Sequence, residues 1–445
     1  MKYKARFAPS PTGLLHIGNA RSALINWAFI KNKGGEFLLR IDDTDKTRSK
    51  KEYEKSIKDD LSWLGINWSK TFNQSERIEL YKKIILELKE KKLIYPCFET
   101  EEELSLKRKS LLSMGKPPIY DRSSLNLSKE KIELLLNQGK KPHWRFKLIN
   151  EKIEWNDLIK GTISFDSKNI SDPILIRGDG SLLYHLPSVI DDIEEDITDI
   201  IRGEDHISNT AYHIQIFKSL NAKVPNFGHH PFITDDKGKG FAKRLGSVSI
   251  QKLSNQGYEN ITLINYLLSL GTNKNISKEK NIEKLYKNFN INDLATSSPK
   301  FSINDLTNLN KDILKLYDYF EIKERFSDFK YKNVNENFWK FIKNNINFFN
   351  ESFEWIEIIN DDSIFNTESN KLLIIAGELL PKDPFDENTW DLWINSIKNK
   401  TGKSGKDLFM PLRIALTGRK TGPELKFLMP LLSRNQVLKK LGFNV

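Results

Sequence analysis

One cysteine, Cys97, in 445 residues excludes an intrachain disulfide and any zinc site built from several cysteines. No apolar run approaches the ~18 residues that a membrane-spanning helix needs, which excludes an integral helical membrane protein. The opening Met1-Lys2-Tyr3-Lys4-Ala5-Arg6 has charge but no apolar core behind it, so no secretory leader is expected. There is no internal repeat and no dominant charge tract. With 38% hydrophobic and 11% aromatic residues, a wholly disordered chain is also excluded. The expectation that remains is a soluble, cytoplasmic protein of two to four folding units, at about 150 residues each. The formal net charge of +11 fits a polyanionic partner such as nucleic acid. A composition rich in Lys, Asn and Ile accounts for the same sign without any partner.

The amino-terminal pattern predicts a βαβ unit. Residues 3–8 alternate as a strand does, and Pro9-Ser10-Pro11-Thr12-Gly13 forms a loop. Apolar residues then recur at Ile17, Ala20, Leu24, Trp27 and Ala28, a helical stripe ended by Gly34-Gly35. Glu36–Ile41 reads as a second strand running into Asp42-Asp43-Thr44-Asp45. This order implies a parallel sheet with a right-handed crossover. Residues 50–94 read as helical with lysine-rich solvent faces. Residues 95–180 read as short segments with turns, including a hairpin of 174–177 and 182–185 about Gly178-Asp179-Gly180. A second α/β stretch follows to about 238, and after 260 the pattern is helical.

Three segments carry the chemistry. In the first, Arg6-Phe7-Ala8-Pro9-Ser10-Pro11-Thr12-Gly13 leads to His16-Ile17-Gly18-Asn19. An imidazole at a helix start can donate to a phosphate held by the free N–H groups there, and Gly18 permits close approach of a base or ribose. The plainer reading of His16 is a mere helix-start residue. In the second, Gly238-Lys239-Gly240-Phe241-Ala242-Lys243-Arg244 is a glycine-rich cationic stretch that could neutralise a pyrophosphate leaving group, or simply be solvated. In the third, Tyr184-His185-Leu186 and Asp191-Asp192 precede Ile200-Ile201-Arg202-Gly203-Glu204-Asp205-His206. The latter reads as a buried strand ending at a site, with Arg202 either a ligand or a structural ion-pair partner.

Together the segments resemble class I aminoacyl-tRNA synthetases and, within them, the glutamyl-tRNA synthetase family. Arg6 to Gly13 with His16-Ile17-Gly18 resembles the first signature, in which Pro9 and Asn19 fall. Arg40-Ile41-Asp42-Asp43-Thr44-Asp45 resembles its acidic sequel. Ser75-Glu76-Arg77, Tyr184-His185-Leu186, Arg202 to His206, and Lys243-Arg244 follow in the family's order. Met410 to Gly418 with Gly422-Pro423 resembles its C-terminal domain. The resemblance spans nearly the whole chain and is thinnest from 270 to 400.

The resemblance implies a Rossmann-like parallel-sheet catalytic domain with an inserted acceptor-binding domain, followed by helical domains. The implied bounds are 1–90 and 181–238 for the catalytic fold, 91–180 for the insertion, 239–320 for a stem-contact domain and 321–445 for an anticodon-binding domain. It implies that glutamate is activated with ATP and magnesium as glutamyl-adenylate, then transferred to the terminal adenosine of tRNA. Arg6, Ala8, Ser10, Asp42, Tyr184 and Arg202 would line the glutamate pocket. His16, Gly18, Asp205, Lys243 and Arg244 would meet ATP, with His16 and Lys243 catalytic and Gly240 part of the second signature. Two arginine forks suit a substrate with two carboxylates. Which fork takes which carboxylate is open.

The sequence departs from the pattern at three places. The wider class reads Lys-Met-Ser-Lys-Ser where Gly240 to Arg244 stands, with Lys239 one position away. Asp42 stands where many glutamyl enzymes carry glutamate. Glu99 stands where a second zinc-binding cysteine would, so no zinc site is expected. Glutaminyl-tRNA synthetases are close kin, but Arg202 suits the substrate with the extra negative charge. Charging of tRNA(Gln) by the same chemistry is a third reading, and a non-catalytic RNA-binding paralogue is a fourth. Retention of both His16 and Lys243 argues against the fourth. A monomer without a membrane partner is expected. Trp339, Trp355, Trp390 and Trp393 have helical spacing and are expected in a core rather than on a base-stacking surface.

Overall fold

β1 (Lys4–Phe7) leads through the proline-bounded loop into α1 (Ile17–Asn32), and β2 (Glu36–Ile41) returns parallel to β1 with Arg6 opposite Leu38. The stripe Ile17, Ala20, Leu24, Trp27 and Ala28 is buried, as its spacing predicts. The helix closes at Lys33, and Gly34 takes φ +66°, a left-handed conformation that costs glycine little. The computed structural model describes residues 2–235, 248–329, 331, 333–361 and 370–445.

Between 50 and 94 the pattern predicts helix throughout, but a strand, β3 (Lys70–Asn73), separates α2 (Lys51–Trp63) from α3 (Ile78–Glu90). β3 has four residues, none of them fully buried. Such a strand has no periodicity to read; its pairing with β2 at the sheet edge makes it one.

The inserted region contains β4 (Ile94–Cys97), α4 (Glu101–Ser113), α5 (Lys129–Asn137), β5 (His143–Phe146), β6 (Lys152–Asp157), β7 (Gly161–Asp166) and β8 (Ile174–Ile176). β4, β5 and β8 form an antiparallel sheet, and β6 with β7 a hairpin. The two helices correct the expectation of short turn-bounded segments. α4 is anchored by a Thr100–Glu103 capping box, yet none of its residues is buried, so no apolar stripe announces it. The turn at Gly178–Gly180 forms, with Arg177 N–H donating to Ser181 O at 2.9 Å. Its second arm is only a bridge at Leu182, because α6 (His185–Glu194) begins where the pattern predicts a strand. Pro187 lies in the first turn of α6, where its missing N–H removes no helical bond.

β9 (Asp199–Gly203), α7 (Ile207–Ser219) and β10 (Asn226–His230) complete a five-stranded sheet of order β10-β9-β1-β2-β3, parallel throughout. This is the expected Rossmann-like topology. The chain winds outward from β1 in one direction, then resumes at β9 on the other side of β1. Ligands collect beyond the carboxyl ends of the strands at such a reversal.

The chain divides into a unit of residues 1–253 with 264–302 and a unit of 254–263 with 303–445. The second is helical, as the pattern after 260 predicts. Trp339, Trp355, Trp390 and Trp393 are all buried in its core. Trp393 Nε1 donates to Ala376 O at 2.8 Å, so the ring's one polar atom is satisfied inside the core. Among the described residues no helix is long and apolar enough to cross a membrane.

Candidate active site

A cleft of about 390 Å³ opens at the carboxyl ends of β1 and β9. Arg6, Ala8, Pro9, Ser10, His16, Gly18, Asn19, Asp42, Tyr184, Arg202 and Asp205 all line it. Residues separated by almost 200 positions in sequence are thus brought to one place by the strand order. Gly240, Lys243 and Arg244, with Lys239, lie outside the described residues. A larger groove of about 840 Å³ runs along α4, but none of the expected site residues lines it.

At one end of the cleft the charges are buried and shared. Arg6 Nε and Nη2 donate to Asp192 at 2.9 and 3.2 Å. Arg40 Nη1 donates to the same Asp192 Oδ1 at 2.9 Å, and Arg40 Nε and Nη2 hold Asp42 at 2.7 and 3.3 Å. Burial pushes Asp42 up, to about 6, against the pull of Arg40. Asp42 therefore meets the cleft already paired with a cation. Arg6 likewise arrives with a carboxylate on two of its nitrogens.

Arg202 differs. It is buried, and among the described residues no carboxylate pairs with it. Its Nη1 donates to Tyr184 Oη at 3.0 Å and its Nη2 to Thr210 Oγ1 at 2.6 Å. Burial pulls its pKa below the usual arginine value. A guanidinium desolvated without an adjacent anion is a costly arrangement, and an incoming anion relieves it. The reading of Arg202 as a local structural ion-pair partner finds no pair here. Tyr184 Oη accepts from Arg202, which leaves its own hydrogen available to a ligand.

At the other end, His16 is the N-cap residue of α1. Its Nδ1 accepts the backbone N–H of Asn19 at 3.3 Å. Burial lowers its pKa, which favours the neutral ring. With the Nδ1 lone pair turned to the backbone, the hydrogen sits on Nε2, free to donate to an anion. Gly18 has a more local reason than close approach of a base: a Cβ there would lie 3.1 Å from the His16 ring. Val248, where the described chain resumes, accepts from Ile17 N–H at 3.2 Å, and Ile250 N–H donates to Leu15 O at 2.9 Å. The segment after the second signature is thus joined to the start of the first.

Arg40, Asp192, Thr210 and His229 also shape the cleft's charges, and sequence reasoning assigns a role to none of them. Arg40 and Asp192 stand in the quoted motifs, but linear order does not reveal that one aspartate holds two arginines. Thr210 and His229 carry no motif at all.

In the insertion, one ligand atom each from Cys97, Glu99 and His143 lie within 4.8 Å of one another. A single cysteine in the chain argues against any such grouping, yet the fold assembles one. The carboxylate of Glu99 already accepts hydroxyls from Tyr120 at 2.9 Å, Ser123 at 3.0 Å and Ser124 at 2.9 Å. Burial raises Glu99, but these donors prevail and hold it near 2. Burial pushes the Cys97 thiol up, which opposes the thiolate a metal needs. His143 Nε2 is buried without a hydrogen-bond partner among the described residues.

Comparison with known proteins follows the same division. Residues 2–308 match the family model of class I tRNA synthetases (E and Q), catalytic domain, and residues 318–443 match an anticodon binding domain. The chain is 45% identical over 443 residues to a protein named glutamate–tRNA ligase 1 of Rickettsia massiliae, covering 99% of each chain. It is 42% identical over 439 residues to glutamate–tRNA ligase 2 of Hyphomonas neptunium, covering 98% of this chain and 99% of that one. Among solved structures, a glutamate tRNA ligase from Elizabethkingia meningosepticum in complex with its amino acid superposes with a TM-score of 0.84 at 25% identity, covering 99% of this chain and 98% of the other.

Proposed function

The chain belongs to the glutamyl and glutaminyl branch of the class I tRNA synthetases, and we infer that it is a ligase joining L-glutamate to tRNA. The α-carboxylate of glutamate attacks the α-phosphate of ATP, releasing pyrophosphate and leaving glutamyl-adenylate. A hydroxyl of the terminal adenosine of tRNA(Glu) then takes the acyl group and AMP departs. No side chain need act as a nucleophile; the protein positions the reactants and stabilises charge.

The observation that carries the amino-acid assignment is Arg202, a buried cation with no carboxylate bonded to it among the described residues, beside a tyrosine hydroxyl in the cleft. In this reading Arg6, Ala8, Ser10, Asp42, Tyr184 and Arg202 hold glutamate. His16, Gly18, Asp205, Lys243 and Arg244 hold ATP. His16 Nε2–H would meet a phosphate oxygen beside the first turn of α1. Magnesium, when bound with ATP, neutralises phosphate charge. The reading includes a cytoplasmic monomer and the five-segment domain division drawn from the sequence. The insertion is read as folding without zinc, supported by the hydroxyl donors that already occupy Glu99.

Glutamate and glutamine differ by one oxygen against one NH2, so size cannot separate them. An amide NH2 against a buried guanidinium sets donor against donor and leaves the cation unpaired. That costs about 2–5 kcal/mol, a discrimination of roughly 30- to 4,000-fold. Arg202→Gln is expected to lower kcat/KM for glutamate sharply and narrow its advantage over glutamine, with little change in KM for ATP. Native glutamate kinetics in that variant would remove Arg202 from the pocket.

A further inference from the structure

The hydrogen bonds on Arg202 lead away from the cleft to a carboxylate in the insertion. Arg202 Nη2 donates to Thr210 Oγ1 at 2.6 Å, Thr210 Oγ1 lies 2.9 Å from His229 Nε2, and His229 Nδ1 lies 2.5 Å from Asp157 Oδ2. Parallel pairing of β9 with β10 sets Arg202 opposite His229, so their proximity is built into the sheet register. Asp157 is the last residue of β6, and its side chain, like that of His229, has no exposed surface.

The direction of these bonds follows from Asp157. Its Oδ1 accepts the backbone N–H groups of Ile159, Lys160 and His229, each at 3.0 Å. Burial raises its pKa, but His229 and these amides prevail and hold the carboxyl at about 2. It is therefore an acceptor only, and His229 Nδ1 must carry hydrogen. Burial lowers the pKa of His229, and the Arg202 guanidinium adds to this against the pull of Asp157, so the ring is neutral. A neutral ring with hydrogen on Nδ1 presents a lone pair at Nε2. Thr210 Oγ1 accepts from Arg202, and of the two acceptors its hydrogen can reach, His229 Nε2 at 2.9 Å is nearer than His206 O at 3.2 Å; Arg202 Nε also points at His229 Nε2, at 3.5 Å. Every bond points from guanidinium to carboxylate.

We propose that Asp157 is a positioning residue for the amino-acid end of the cleft: through the fixed tautomer of His229 and the hydroxyl of Thr210, it orients Arg202. The proposal rests on the reading of Arg202 as a glutamate ligand. Placing the carboxylate beyond His229 has a consequence for binding. At Arg6 the carboxylate of Asp192 occupies two nitrogens directly. At Arg202 the hydrogen-bond partners are the neutral groups of Tyr184, Thr210 and His229, and the carboxylate whose charge reaches it, Asp192, is not bonded to its nitrogens, so none occupies the place of a substrate carboxylate.

Asp157→Asn tests the relay in the full-length protein. The amide carbonyl can keep the backbone N–H bonds, and its NH2 then faces His229 Nδ1, which must become the acceptor. The imidazole hydrogen moves to Nε2 and points at Thr210 and Arg202. Nitrogen NMR of protein labelled in histidine should show His229 protonated on Nδ1 in the native chain and on Nε2 in the variant. In aminoacylation, kcat/KM for glutamate should fall about 10-fold or more, mainly through KM, with KM for ATP within about two-fold. Thr210→Val should reproduce the kinetic loss and Thr210→Ser should restore near-native KM, which keeps the test available if Asp157→Asn does not fold. An unchanged His229 tautomer, or native glutamate KM in both Asp157→Asn and Thr210→Val while Arg202→Gln is impaired, overturns the relay and leaves the glutamate reading standing. Native kinetics in Arg202→Gln as well would defeat that reading, and the relay with it.

Discussion

Both units bury an apolar core, but the sheet unit also buries many charges and the helical unit almost none. Inside the first lie Arg6, Arg21, Arg40, Asp42, Asp191, Asp192 and Arg202. Inside the second lie four tryptophans and their aliphatic neighbours; among its described residues the one buried charge is Lys440, which donates to Ile358 O at 3.0 Å. Burying charge weakens a fold unless every charge finds partners, whereas apolar burial stabilises at about 25 cal/mol per Å². The helical unit is organised for stability. The sheet unit tolerates costly interior charges, Arg6, Arg40 and Arg202 among them toward the carboxyl ends of its strands, where a charged ligand can complete them.

The largest effect on that contrast is expected in the helical unit. Trp393→Ala removes a fully buried ring and its hydrogen bond to Ala376, at a loss of about 3–5 kcal/mol. Urea unfolding followed by tryptophan fluorescence should report it, with KM for glutamate unchanged. A loss below about 1 kcal/mol would mean that this core repacks freely.

In the sheet unit the next effect is catalytic. Lys243 lies outside the described residues, on the glycine-flanked segment read as meeting pyrophosphate. Lys243→Ala should lower kcat more than it raises KM for glutamate, by about 2–4 kcal/mol of transition-state stabilisation. A near-native kcat would assign that charge to Lys239 or Arg244.

Acid should separate the two units. All seven histidines precede residue 231. Burial lowers His185 and His206 to about 4 and His230 to about 3. The unfolded chain therefore binds these protons first as pH falls. The stability they confer is complete above about pH 6.5 and is lost progressively toward pH 4, roughly 3 kcal/mol from His230 alone. Hydrogen exchange measured from pH 7 to 4.5 should show loss of protection in residues 4–230 before the tryptophan core of the helical unit. Simultaneous loss in both would contradict the assignment.

Legibility in the sequence also divides along these lines. The first βαβ unit is readable because Ile17, Ala20, Leu24, Trp27 and Ala28 repeat at the helical period and Gly34-Gly35 ends the run. The helical character beyond 260 and the burial of its tryptophans are readable from spacing too. β3 and α4 are not: one is four residues at a sheet edge, the other has no buried face. In the cleft, the residues that motifs single out among the described part of the chain meet at one place. What holds them does not show in linear order. Asp192 gripping Arg6 and Arg40, and Asp157 reaching Arg202 by way of His229 and Thr210, arise only when elements distant in sequence lie side by side.

The most direct test of the account is aminoacylation by the full-length protein with labelled glutamate and, separately, labelled glutamine, using ATP, magnesium and purified tRNA(Glu) or tRNA(Gln). The account predicts acid-precipitable glutamate on tRNA(Glu), dependent on ATP, and no comparable charging with glutamine. Glutamine charging in preference to glutamate, or no glutamate on either tRNA, would contradict it.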